Sequence, residues 1–158
     1  MSILDVITGK ERKIYNQVIQ LMDQGNYSAL FNMDRYGNFG LNNQKYIDRI
    51  LSRMEQEASS DPDFLIQMNQ SYYHRADHFN EVAIKSNPKI IERFIDENIW
   101  KSDRLIPIAL ENGYVPNSDY VDNHMQYFSS IEVMTKLFDE GYKPTNETIE
   151  KHIRVFAN

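Results

Sequence analysis

Residues 110–125, LENGYVPNSDYVDNHM, and residues 138–153, FDEGYKPTNETIEKHI, are two copies of one phrase. Each runs from an apolar residue through acidic or amide residues into Gly-Tyr-x-Pro. A residue able to cap a helix, an acidic residue, an aliphatic residue and a histidine follow. Gly113 and Gly141 stand 28 residues apart, and self-similarity at a fixed offset marks a repeat. The phrase reads as the end of one helix, a turn, and the start of the next. Glycine can end a helix in the left-handed region, and proline then blocks its continuation. Asn117 or Thr145 can accept hydrogen bonds from the free amides of the next helix. The predicted class is all-α, a short helical-repeat solenoid of antiparallel helices.

The neighbouring sequence extends the pattern. Ser102 takes the same place after a turn as Asn117 and Thr145, so all three are expected to cap. Asp103, Asp119 and Glu147 then fall in first helical turns, where the helix dipole favours carboxylates. In the aligned turns, Ile99, Tyr114 and Tyr142 share a position that should pack back onto the helices. Trp100, Val115 and Lys143 share the next one, and a slot that admits lysine is expected to face water. Trp100 is the only tryptophan. It reads either as a partner anchor, a role exposed tryptophan often fills, or as a ring lying flat over apolar residues of the N-terminal half. Glu147–Phe156 reads as a final helix with Ile149, Ile153 and Phe156 inward. His124 and His152 recur with the scaffold, which predicts a structural role.

Toward the N-terminus the periodicity predicts helices over Lys10–Gln24, Ser28–Met33, Asn42–Glu57 and Phe64–Tyr73. The third has Tyr46, Ile47, Ile50, Leu51 and Met54 on one stripe, and the fourth turns Phe64, Leu65, Met68 and Tyr72 inward. Asp61 and Pro62 form a helix start, with Asp61 as N-cap and Pro62 in the first turn. The loop Asp34–Gly40 carries Tyr36 and Phe39, which either plug the core beneath it or form an aromatic contact for a partner.

Residues 82–98, VAIKSNPKIIERFIDEN, resemble the two-helix body of an ankyrin repeat. Ala83 and Ile84 close one helix, Ser86-Asn87-Pro88 turns, and Ile90, Ile91, Phe94 and Ile95 form the packing face of the next. Asn98 stands where ankyrin repeats often have glycine. The phrase returns at Ser130–Gly141 and, shortened, at Ile106–Gly113. The Thr-Pro-Leu-His opening of a standard ankyrin repeat is missing, and the spacings of 15, 28 and 43 residues differ from its period of about 33. The resemblance covers residues 76–158. It implies stacked helices, each too short to persist alone, that bind proteins.

Composition narrows the functions. With 158 residues, the chain suits a single domain, read as an N-terminal helical cap at 1–58 and acidic repeats at 59–158. The first part has seven basic and seven acidic residues. The second has ten basic and sixteen acidic, which accounts for the net charge of −6. That charge repels phosphate backbones, so direct nucleic-acid binding is disfavoured. The absence of cysteine excludes disulfides and thiolate chemistry and fits a reducing cytoplasm. No apolar run is long enough to span a bilayer.

His74-Arg-Ala-Asp-His78 is the one constellation with chemical potential. It resembles the H-x-x-E-H zinc-protease pattern with aspartate for glutamate. The shorter acid and the missing third ligand count against a metal-dependent hydrolase built on His74, Asp77 and His78. No glycine-rich phosphate loop or nucleophile elbow is present, and no cofactor is expected. The sequence therefore reads as a non-enzymatic protein–protein interaction module. Trp100, Tyr36, Phe39, Val115 and Lys143 are its candidate contacts with a protein partner. An alternative is an inhibitor of phage or bacterial origin whose acidic half mimics nucleic acid on a host enzyme.

Overall fold

The computed structural model describes residues 3–34, 37–99 and 102–156, with side chains from residue 9 onward except that of residue 155. Among the described residues every regular element is a helix. The chain forms two compact units, Met1–Ala83 and Ile84–Asn158. The boundary read between a helical cap at 1–58 and acidic repeats at 59–158 lies inside the first unit.

In that unit α1 (Ile3–Asp23) packs on α2 (Tyr27–Met33) and α3 (Gln44–Ser60), and both of these pack on α4 (Pro62–Gln70). α1 begins well before the expected Lys10. Leu30, Ile50, Met54, Phe64, Leu65 and Met68 are fully buried. Phe64 meets Tyr27 edge-on with ring centroids 4.9 Å apart, a favoured aromatic geometry. The joint between α3 and α4 is tight. Asp61 Oδ1 accepts from the Asp63 and Phe64 amides, as its predicted N-cap role requires, and Oδ2 accepts from the Tyr27 hydroxyl at 2.6 Å. Buried Glu11 accepts from the Asn42 and Asn43 amides, tying α1 to the start of α3.

α4 corrects one expectation. Tyr72 was expected inward, but it points out at 84% exposure, and Tyr73 is buried instead. The helix ends in a pair of hydrogen bonds, Tyr72 N–H to Asn69 O and Tyr73 N–H to Met68 O. That closure is a Schellman motif and needs a left-handed residue at its hinge. Tyr72 supplies it with φ +50°. The reversal turns the Tyr72 ring away and folds Tyr73 back over the last helical turn. α5 (Ala76–Ser86) follows, and the division between the units falls within it.

The second unit contains α6 (Ile90–Asp96), α7 (Ser102–Glu111), α8 (Ser118–Asn123), α9 (Met125–Phe128), α10 (Ile131–Asp139), α11 (Asn146–Lys151) and α12 (Ile153–Phe156). α7 packs on α6, α9 and α10. Ile90, Ile91, Phe94 and Ile95 form the buried face of α6, as the spacing predicts. The turns after α6, α7 and α10 share one closure. Ile99, Tyr114 and Tyr142 donate back to Phe94, Ala109 and Leu137, while Asn98, Gly113 and Gly141 donate to Ile95, Leu110 and Phe138. The hinges have φ of +51°, +89° and +93°. The residues after them are buried, as expected.

Two expectations at the helix starts and ends are corrected. Asn117 and Thr145 cap through their side chains, but Ser102 is the buried first residue of α7, and its hydroxyl donates to the carbonyls of Ile99 and Phe94. It serves the preceding turn instead of its own helix. The final helix is interrupted at His152, which separates α11 from α12. Its Ile149 and Ile153 point outward, and Thr148 occupies the inward position.

The hinges allow a direct stability test. A left-handed conformation costs a side-chain-bearing residue roughly 1–2 kcal/mol, while glycine adopts it freely. Tyr72→Gly should therefore stabilise the protein by about 1 kcal/mol, and Gly141→Ala should destabilise it by about as much. Urea unfolding followed by circular dichroism measures both. A loss of stability in Tyr72→Gly would show that the exposed ring contributes more than its backbone costs.

Candidate interaction surface

Two of the five candidate contacts stand on rigid turn tips. At Gly113–Asn117 the glycine closes α7, Tyr114 is buried with its hydroxyl 3.1 Å from Glu92 Oε1, and Asn117 caps α8. Pro116 fixes φ between them. Only Val115 is left to project, and it is 64% exposed. At Gly141–Thr145 the same construction leaves Lys143 exposed, with the Tyr142 hydroxyl donating to Asp122 Oδ1. A residue held on both sides in this way loses little conformational freedom on contact with a partner.

The remaining three differ. Phe39 is 3% exposed with φ +55°, so it fills the core beneath its loop and offers nothing to a partner. Asp34 holds it there. That carboxylate is fully buried, accepts the Phe39 amide at 2.8 Å through Oδ1, and accepts the Tyr73 hydroxyl through Oδ2. Tyr36 and Trp100 lie outside the described residues. Sequence reasoning missed Ile131 and Phe138, both exposed on α10. Their helical spacing was legible, but the direction each faces depends on neighbours.

His74 and His78 do not share a site. His74 lies in the turn before α5, with its ring 4.5 Å from that of Tyr73 and beside Gly37, where an added Cβ would stand 3.0 Å from Nε2. His78 lies inside α5, with Nε2 3.0 Å from Glu55 Oε1. The helix starts too late for the two imidazoles to occupy one helical face. Among the described residues no group of three or more His, Asp or Glu is arranged to hold a metal ion. His124 and His152 each end a helix with nearly the same backbone angles, φ −122° and −119°. The His124 ring stacks on Tyr120, centroids 4.2 Å apart, and its Nδ1 lies 3.0 Å from the Tyr120 carbonyl oxygen.

Tyrosine–carboxylate pairs recur throughout. Tyr27 meets Asp61, Tyr73 meets Asp34, Tyr114 meets Glu92, Tyr120 meets Asp96, and Tyr142 meets Asp122. Burial, followed by the hydrogen bond to and charge of the carboxylate, raises all five phenol pKa values above the ordinary one. A polar cleft of about 320 Å³ beside the second tip is lined by Asp119, Asp122, Glu147 and Lys151 among others. Its Asp122 already accepts from Tyr142. No helix among the described residues is long and apolar enough to cross a membrane.

The raised phenols predict alkaline lability. Unfolded tyrosine ionises near pH 10, below the folded value, so the stabilisation is full under pH ~10 and is lost as pH climbs beyond it. Helical ellipticity should fall together with the last portion of the phenolate absorbance, the part owed to these five of the ten tyrosines, and Tyr114→Phe with Tyr142→Phe should make the fall shallower. Ionisation of all ten tyrosines near pH 10 with helix content intact would contradict the assignment. Comparison with protein-family models, with curated proteins and with solved structures finds no match for this chain.

Proposed function

We propose that the chain is a non-enzymatic protein-interaction module, a short ankyrin-like array of antiparallel helices working in the cytoplasm. The observation that carries this reading is the pair of matched tips, Gly113–Asn117 and Gly141–Thr145. Each is locked by a helix closure, a buried tyrosine and a cap, and each projects one side chain, Val115 or Lys143. Further support comes from Ile131, Phe138, Ile149 and Ile153, exposed apolar side chains in the same unit. Trp100 holds the sequence position equivalent to Val115 and Lys143 and belongs to the same proposed set.

The acidic-mimic alternative has less support. Mimicry of a phosphate backbone needs carboxylates free to face a basic partner, and Glu92, Asp96 and Asp122 are engaged by tyrosine hydroxyls. Salt separates the two readings, because screening weakens a charge-matched complex far more than an apolar one. Photo-crosslinking residues placed at Val115, Lys143 and Trp100 in cells of the native host should give discrete protein adducts. The same residue at exposed Lys45 should give none. The module reading fails if the tips give no adduct, or give the same products as Lys45. Loss of the adducts on raising salt would turn the assignment to the mimic.

A further inference from the structure

Asn112 and Gly113 are the only Asn-Gly pair in the chain, and the pair carries its own chemistry. Glycine has no Cβ to shield its main-chain nitrogen, so that nitrogen can approach the side-chain amide of the asparagine before it. Both residues are exposed. Apart from its chain neighbours, no atom lies within 4 Å of the point that a Cβ of Gly113 would occupy. Water and base therefore reach both reacting groups.

The folded turn keeps those groups from reacting. Asn112 Nδ2 donates to the Ile108 carbonyl oxygen at 2.8 Å, which draws the side-chain amide back along α7. The nucleophile is occupied as well. The Gly113 N–H donates to Leu110 O at 3.1 Å, and the next amide, that of Tyr114, is fixed on Ala109 O at 2.9 Å. Attack on Asn112 Cγ needs the side chain released and the Gly113 nitrogen stripped of its proton. The closure that ends α7 must open first.

We propose that Asn112 and Gly113 form a self-modification site, a deamidating pair whose rate is set by opening of the α7 closure and whose isoaspartate product disables the first tip. Hydroxide takes the Gly113 amide proton, and the nitrogen forms a bond to Asn112 Cγ. The Cγ–Nδ2 bond breaks and Nδ2 leaves as ammonia, taking its proton from water and regenerating the hydroxide. A water then opens the cyclic imide. Cleavage between the nitrogen and Cγ gives aspartate, and cleavage between the nitrogen and the main-chain carbonyl carbon gives isoaspartate. The chemistry holds whether or not the tip meets a partner.

The two products act differently on the fold. Aspartate keeps the main chain, and the second copy already has an acid, Glu140, at the equivalent place in the same closure. Isoaspartate routes the main chain through the former Cβ. The added carbon lies inside both reverse hydrogen bonds, from Gly113 to Leu110 and from Tyr114 to Ala109, so they lose register together. Buried Tyr114, with its hydroxyl on Glu92, and Val115 beyond it are displaced with them.

The full chain is incubated in mildly alkaline buffer with and without denaturing guanidinium chloride. Peptide mass spectrometry follows conversion at Asn112, with Asn117 as the internal reference. Conversion is expected in denaturant, and it should be roughly tenfold slower or more in the folded chain, as rare local opening requires. Glu140→Asn, which installs the pair in the second closure, should create a second site with the same dependence on denaturant. After ageing and refolding, the isoaspartate form should unfold at a lower urea concentration than the Asn112→Asp chain. No conversion at Asn112 in denaturant removes the site, and equal rates in the folded and unfolded chain overturn control by the closure. An isoaspartate form as stable as Asn112→Asp overturns the effect on the tip.

Discussion

The structure depends on how its short helices stop. A helix leaves its last carbonyls without intrahelical partners, and a six- to ten-residue helix has too few internal bonds to tolerate fraying. The same remedy appears after α1, α4, α6, α7 and α10: one left-handed residue and two reverse hydrogen bonds. The closure also sets direction, because the residue after the hinge is thrown back onto its own helix. At Tyr73, Tyr114 and Tyr142 that residue is a tyrosine, and its hydroxyl reaches a carboxylate on an earlier part of the same unit. One backbone event thus ends a helix, buries a large ring and fixes a neighbour.

The tyrosine hydroxyls change how the charge of the chain should be read. Sixteen acidic residues in positions 59–158 suggest an electrostatic surface. Several of these carboxylates are instead hydrogen-bond acceptors holding helices together. Asp61 caps α4 with one oxygen and takes Tyr27 with the other. Asp34, in the first part of the chain, likewise divides its oxygens between the Phe39 amide and Tyr73. An acid that accepts from a phenol has one oxygen committed to the protein, which leaves fewer directions from which a basic partner can pair with it. Net charge and available charge therefore differ.

Much of the helical order was legible from local chemistry. Gly-Tyr-x-Pro, the Asp61-Pro62 start, and the stripes of α3 and α6 are governed by residues a few positions apart, and the structure follows them. The misses share a cause. Tyr72 and Tyr73 are adjacent aromatics, and which one turns inward depends on which takes the left-handed hinge, a position without glycine to mark it. Ser102 has the right type for a cap, but the carbonyls of the preceding turn compete for its hydroxyl. Of the candidate contacts, Val115 and Lys143 were placed by the turn alignment, since exposure there follows from the turn itself. Phe39 could not be assigned from its loop because Asp34, five residues away, decides its direction through a buried side-chain bond.

Ile149 and Ile153 pose the harder problem, because a periodic apolar stripe says a face is to be covered without saying by what. A single exposed isoleucine needs no explanation on an ordinary protein surface. Here an internal reference makes the exposure informative. The first copy has the same caps and the same break at histidine, and it buries the equivalent residues completely. With local sequence and backbone matched, the difference in exposure comes from what each copy packs against and not from a defective pattern.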